Sequence, residues 1–125
     1  MASINTQPAA LDLALYAGDG VEFRLICKDS NDAPVPIDGE VTAQVRVDRT
    51  PESTALADFN CNIIDGSQGI IELSLTGDQT QELVADPSSR NGKFTGVWDV
   101  QWAATGKEPR TLCQGKVECV ADVTR

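Results

Sequence analysis

The chain has 125 residues, room for one domain, and its 41% hydrophobic and 23% charged residues belong to a folded globule rather than a disordered segment. Nineteen acidic against ten basic side chains leave a charge of −9 at pH 7, which repels phosphate; Arg46 with Arg49, and Lys107 with Arg110, are isolated pairs and make no basic stripe for nucleic acid. Histidine is absent, which excludes Ser-His-Asp and Cys-His nucleophiles, His-ligated zinc and a histidine general base.

Residues 1–10 are polar and small, carry Pro8 and show no periodicity, so they read as an extended N-terminal arm. Ser3, Ile4, Asn5, Thr6, Gln7 and Pro8 are its candidate assembly contacts. The first twenty residues lack a basic n-region, and Asp12 interrupts their apolar stretch, so no secretory signal is expected. No run approaches the ~20 apolar residues of a membrane span.

A single domain is expected over 11–125. Leu11, Leu13 and Leu15 alternate with Asp12 and Ala14, the period of a half-buried strand. Tyr16, the lone tyrosine, ends that strand as an edge cap or an interface residue. After the Gly18-Asp19-Gly20 turn, Val21, Phe23, Leu25 and Cys27 face one way while Glu22, Arg24 and Lys28 face the other. The loop from Asp29 to Pro34 is rich in side chains that close Asx-type turns. It lacks the D-x-D-x-D-G spacing of a calcium loop.

Val41 to Asp48 alternates almost without error. A looser strand places Ala57, Phe59, Cys61 and Ile63 on one face, and Ile71, Leu73 and Leu75 alternate after the next turn. Thr76-Gly77-Asp78-Gln79 has the spacing of a capping box, so a short helix is expected, ending before Pro87. The strand from Phe94 to Ala103 carries Trp98, Val100 and Trp102 on one face. The last strand starts at Arg110 and turns Cys113, Val117 and Cys119 inward.

The spacing predicts an all-β fold, an antiparallel two-sheet β-sandwich of immunoglobulin-like type, with about seven strands and one short helix. Phe23, Phe59, Trp98 and Trp102 are the expected core aromatics, since a chain with 5% aromatic residues needs its largest side chains inside. An alternative makes Trp98 and Trp102 an exposed stacking platform for a sugar or a partner. Cys27, Cys61, Cys113 and Cys119 form no C-x-x-C pair and read as free, buried thiols. Glu72, Asp99 and Glu118 lie opposite the apolar rows, where solubilising charge is the ordinary role and a carboxylate pair the rarer one. No catalytic residue, metal ligand or cofactor site is expected.

Three segments carry a family resemblance. LDLALYAGDGVEFRLICKDSNDAPVPIDG with VTAQVRVDR, then GIIELSLTGDQTQEL, then GVWDVQWAATGKEPRTLCQGKVECVADVTR, resemble in order the N-terminal domain of tailed-phage baseplate upper proteins and the related small minor tail proteins of phages of actinobacteria. The resemblance spans residues 11–125. It implies a non-enzymatic β-sandwich that docks within a virion assembled in the host cytoplasm, with other virion proteins and copies of itself as partners and neither nucleic acid nor membrane insertion. Longer relatives carry a fibre or receptor-binding region after this domain; this sequence ends with it, which favours an adaptor or decoration role. A minor tail or baseplate-associated module is the leading expectation, a capsid decoration protein the alternative, and a carbohydrate-binding module the reading from another class.

Overall fold

The computed structural model describes residues 9–121. The strands are β1 (Ala9–Ala10), β2 (Leu13–Tyr16), β3 (Val21–Ile26), β4 (Glu40–Arg46), β5 (Ala57–Asp58), β6 (Asn60–Asp65), β7 (Ile70–Leu75), β8 (Lys93–Ala103) and β9 (Arg110–Val120), with one helix, α1 (Gly77–Ala85). Two sheets face each other. The larger runs β1-β9-β8-β4-β5, with β2 also on β9; the smaller runs β3-β7-β6. This is an all-β immunoglobulin-like sandwich, in which β3-β7-β6 takes the place of the B-E-D layer and β9-β8-β4-β5 that of G-F-C-C′.

Period-2 alternation explains the layers. Val45, Val100, Val117, Trp98 and Cys119 point inward from the larger sheet, and Ile71, Leu73 and Leu75 from the smaller one, all buried. Phe23, Phe59 and Trp98 join the layers: Phe23 meets Trp98 edge-on at 5.8 Å and Phe59 at 6.1 Å, and Phe59 lies 5.6 Å from Trp98. These separations are typical of favourable aromatic pairs.

The helix forms where the capping box predicts it. Thr76 Oγ1 accepts the Gln79 N–H at 3.2 Å, and Gln79 Oε1 accepts the Thr76 N–H at 2.8 Å. Gln79 Nε2 also donates to the Asp58 carbonyl, tying α1 to β5. Thr80 is fully buried, yet its hydroxyl lies 3.0 Å from both the Asp19 and Gly77 carbonyls and accepts the Gly18 N–H. Its polar group is therefore satisfied rather than stranded.

The fold departs from the expected pattern in three places. First, β1 and β2 pair in parallel with β9, whereas every other pairing of the named strands is antiparallel. Alternation tells which face is buried but not the direction of the partner. Ala9 and Ala10, expected as the end of the arm, thus already belong to the sheet.

Second, this edge is broken at Leu11 and Asp12. Leu11 is 40% exposed, although it was expected to share the buried row of Leu13 and Leu15. Trp98 stands opposite Gly115 on β9, and its indole N–H donates to the Leu11 carbonyl at 2.8 Å. A Cβ at Gly115 would overlap that carbonyl, so glycine is what lets the edge close over the tryptophan.

Third, the strand expected over 57–63 is split between layers. β5 pairs with β4 in the larger sheet and β6 with β7 in the smaller. Phe59, at the crossing, still donates its N–H to the Ala43 carbonyl. Ala57 and Phe59 are buried as expected, but Ile63 is 38% exposed. A strand that changes sheets at a corner keeps its alternation and loses its single buried face.

Candidate docking surfaces

The expected core aromatics lie inside. Trp98 and Trp102 are 1% and 8% exposed, Phe59 is buried, and Phe23 is half-buried against the core. Both indole N–H groups are used internally, Trp98 on the Leu11 carbonyl and Trp102 on the Asp38 carbonyl at 2.6 Å. Two indoles packed and hydrogen-bonded in this way leave no face for a sugar ring.

The carboxylates do not converge. Glu72 lies on the smaller sheet and pairs with Arg24 at 3.3 Å. Glu118 pairs with Lys93 at 3.4 Å. Asp99 faces Gln114, four residues before Glu118 along β9, which sets the two backbone positions about 13 Å apart along the strand. In the 29–34 loop, Asp29 Oδ1 accepts the N–H groups of Asn31 and Ala33, and Lys28 pairs with Asp32. Those contacts build an Asx-type turn. Among the described residues, no three His, Cys, Asp or Glu side chains gather as metal ligands.

All four cysteines are free thiols, with Cys113 and Cys119 buried and Cys27 and Cys61 half-buried. Burial raises the pKa of each, that of Cys119 to about 11. They are therefore protonated packing groups rather than nucleophiles.

The informative surfaces are apolar or cationic, and sequence reasoning missed both. Ile26 faces Ile70 directly across β3 and β7 and is 58% exposed on the outer side of the smaller sheet. At the same end of that sheet, Ile64 is the extra residue of a bulge between Ile63 and Asp65 and is 45% exposed. The signal was present: Ile26 breaks the polar row of Glu22, Arg24 and Lys28. Among the described residues, β3 and β6 each pair on one side only, through β7. Their other backbone edges can take another strand.

Tyr16 is 60% exposed and stands beside Val120 on the outer side of the larger sheet. Ser3, Ile4, Asn5, Thr6, Gln7 and Pro8 lie outside the described residues. Arg46 and Arg49, read as an isolated pair, line one groove on the outer side of the larger sheet. Lys107, in the turn between β8 and β9, and Arg110, at the start of β9, are both exposed.

No known family's profile matches the chain, and no curated protein matches it in sequence. Among solved structures it is similar to the ZIG-8–RIG-5 IG1–IG1 heterodimer, at 11% identity over 97% of this chain and 90% of that one, with a TM-score of 0.41. It is also similar to the extracellular domain of the voltage-gated sodium channel β4 subunit, described as a parallel homodimer with a role in cell–cell adhesion. That match has 10% identity over 98% of each chain and a TM-score of 0.43. Neither likeness bears on what this chain binds.

Proposed function

We propose that this chain is a non-enzymatic structural protein of a tailed-phage virion, a minor tail or baseplate-associated module that docks other virion proteins and copies of itself. The observation that carries docking is the exposed Ile26, beside Ile70 and close to Ile64, on a three-stranded sheet whose outer strands each have one partner among the described residues. Apolar side chains next to a free strand edge invite coverage by another chain, through side-chain burial and added ladder hydrogen bonds. The virion setting rests on the ordered resemblance of three sequence segments. A capsid decoration role would use the same surfaces. The carbohydrate-binding alternative loses its two best residues, because Trp98 and Trp102 are buried.

The test is incorporation. Ile26→Asp places a charge on an exposed position and should leave the isolated domain folded, with a melting temperature close to wild type. Particles assembled with that variant should contain much less of the protein. Normal incorporation of a folded Ile26→Asp variant would remove the sheet face from the proposal.

A further inference from the structure

On the outer side of the larger sheet, the segment after β4 folds beside β8 and encloses a groove of about 370 Å³, within the size range of ligand sites. Gln44, Arg46, Asp48, Arg49, Val97 and Asp99 contribute to its lining. The guanidinium of Arg46 is half-buried and held in place by neutral oxygens alone. Nη1 donates to the Ser53 carbonyl, and Nη2 donates to Gln44 Oε1 at 2.7 Å. Gln44 is itself fixed by donating Nε2 to Asp58 Oδ1 at 2.8 Å.

The ion pairs formed among the described residues involve Arg24, Lys28 and Lys93, not Arg46, Arg49 or Lys116. Val97 faces Arg46 on one side and Lys116 on the other, so two of these cations flank one apolar side chain across three strands. Asp48 makes no ion pair with them: its Oδ1 accepts both the backbone N–H and the hydroxyl of Thr50. A partly desolvated, prepositioned guanidinium without a carboxylate partner is a ready receptor for one, since its planar fork matches a carboxylate and little rotamer freedom is left to lose.

We propose that this groove docks an extended protein segment bearing an Asp or Glu side chain, whose carboxylate is taken by Arg46 and Arg49 while Val97 packs against its stem. Asp99, on the groove wall, accepts a backbone N–H of that segment. Asp48 and Asp99 in the lining, and the net charge of −9, oppose a polyphosphate chain and favour a singly charged side chain. The inference deepens the docking reading by assigning a partner chemistry to a second face. It is tested on the isolated domain, so its failure is separable from a failure of incorporation through Ile26.

The experiment is a titration of ¹⁵N-labelled protein with a blocked Ala-Glu-Ala peptide, followed at the Arg46 and Arg49 side-chain N–H groups and the Val97 and Asp99 amides. The controls are a blocked Ala-Gln-Ala peptide and inorganic phosphate at equal ionic strength. Saturable shifts at these groups with the glutamate peptide only are expected, and Arg49→Gln, at an exposed position, should weaken them about tenfold while the rest of the spectrum is kept. The proposal is overturned if no saturable shift appears by about 10 mM peptide. It is equally overturned if Arg49→Gln binds as well as wild type, or if phosphate alone reproduces the shifts.

Discussion

The two sheets divide the work of the molecule unequally. The larger sheet holds Trp98 and Trp102, closes one edge with β1 and β2, and turns a polar, partly cationic face outward. The smaller sheet contributes Ile71, Leu73 and Leu75 to the core, carries isoleucine on its outer side and leaves two strand edges with one partner each among the described residues. One layer is built to be stable, and the other spends some of that stability on a surface that water solvates poorly. Substitutions should therefore separate stability from association according to the sheet they strike.

The largest stability loss is expected in the larger sheet. Trp98→Ala should cost roughly 3–5 kcal/mol in denaturant unfolding, because it opens a core cavity. It also leaves the Leu11 carbonyl without its indole donor. A loss below about 1 kcal/mol would mean that the tryptophan is not the centre of the core. Gly115→Ala should cost about 1–3 kcal/mol through overpacking. Its signature is local: faster amide exchange in β2 than in β3 or β7, since the new methyl pushes against the Leu11 backbone. Uniform loss of protection would contradict that account.

Thr80→Val comes next, at about 1–3 kcal/mol, because the Gly18 N–H and the Asp19 carbonyl lose their hydroxyl partner inside the fold. A pH effect is smaller. Burial holds the four thiols above their ordinary value of 9.0, so both folded and unfolded chains keep these protons below about pH 8. Above that, the unfolded chain releases them first, and stability should fall as pH rises toward 11. Replacing Cys119 by Ala should flatten this slope, measured relative to each protein's own stability at pH 7. Smallest of all is Ile26→Lys, whose stability should stay within about 0.5 kcal/mol of wild type while association is lost.

Much of this division was legible from residue order, and the rest was not for definable reasons. Alternation placed Val21, Phe23 and Leu25, then Val45, then Trp98, Val100 and Trp102, on buried faces, because a half-buried strand must alternate. The capping box located α1 because its hydrogen bonds are local. Pairing direction was not legible, since period 2 is the same for parallel and antiparallel neighbours; hence the parallel seat of β1 and β2. Nor was the switch of sheets at Phe59, which depends on Ala43 and Ser74 being available on opposite layers. The Arg46–Arg49 groove depends on how the segment after β4 folds beside Val97, a tertiary matter. The Ile26–Ile70 contact needed the β3–β7 register before two distant isoleucines could be seen as one surface.

The most direct measurement is a density map of the proposed virion with this chain located in it. The account predicts that Ile26, Ile64 and Ile70 are covered by another protein chain, with a strand or loop lying along β3 or β6. A particle in which this chain is present and that sheet faces open solvent, or particles in which it is absent altogether, would contradict it.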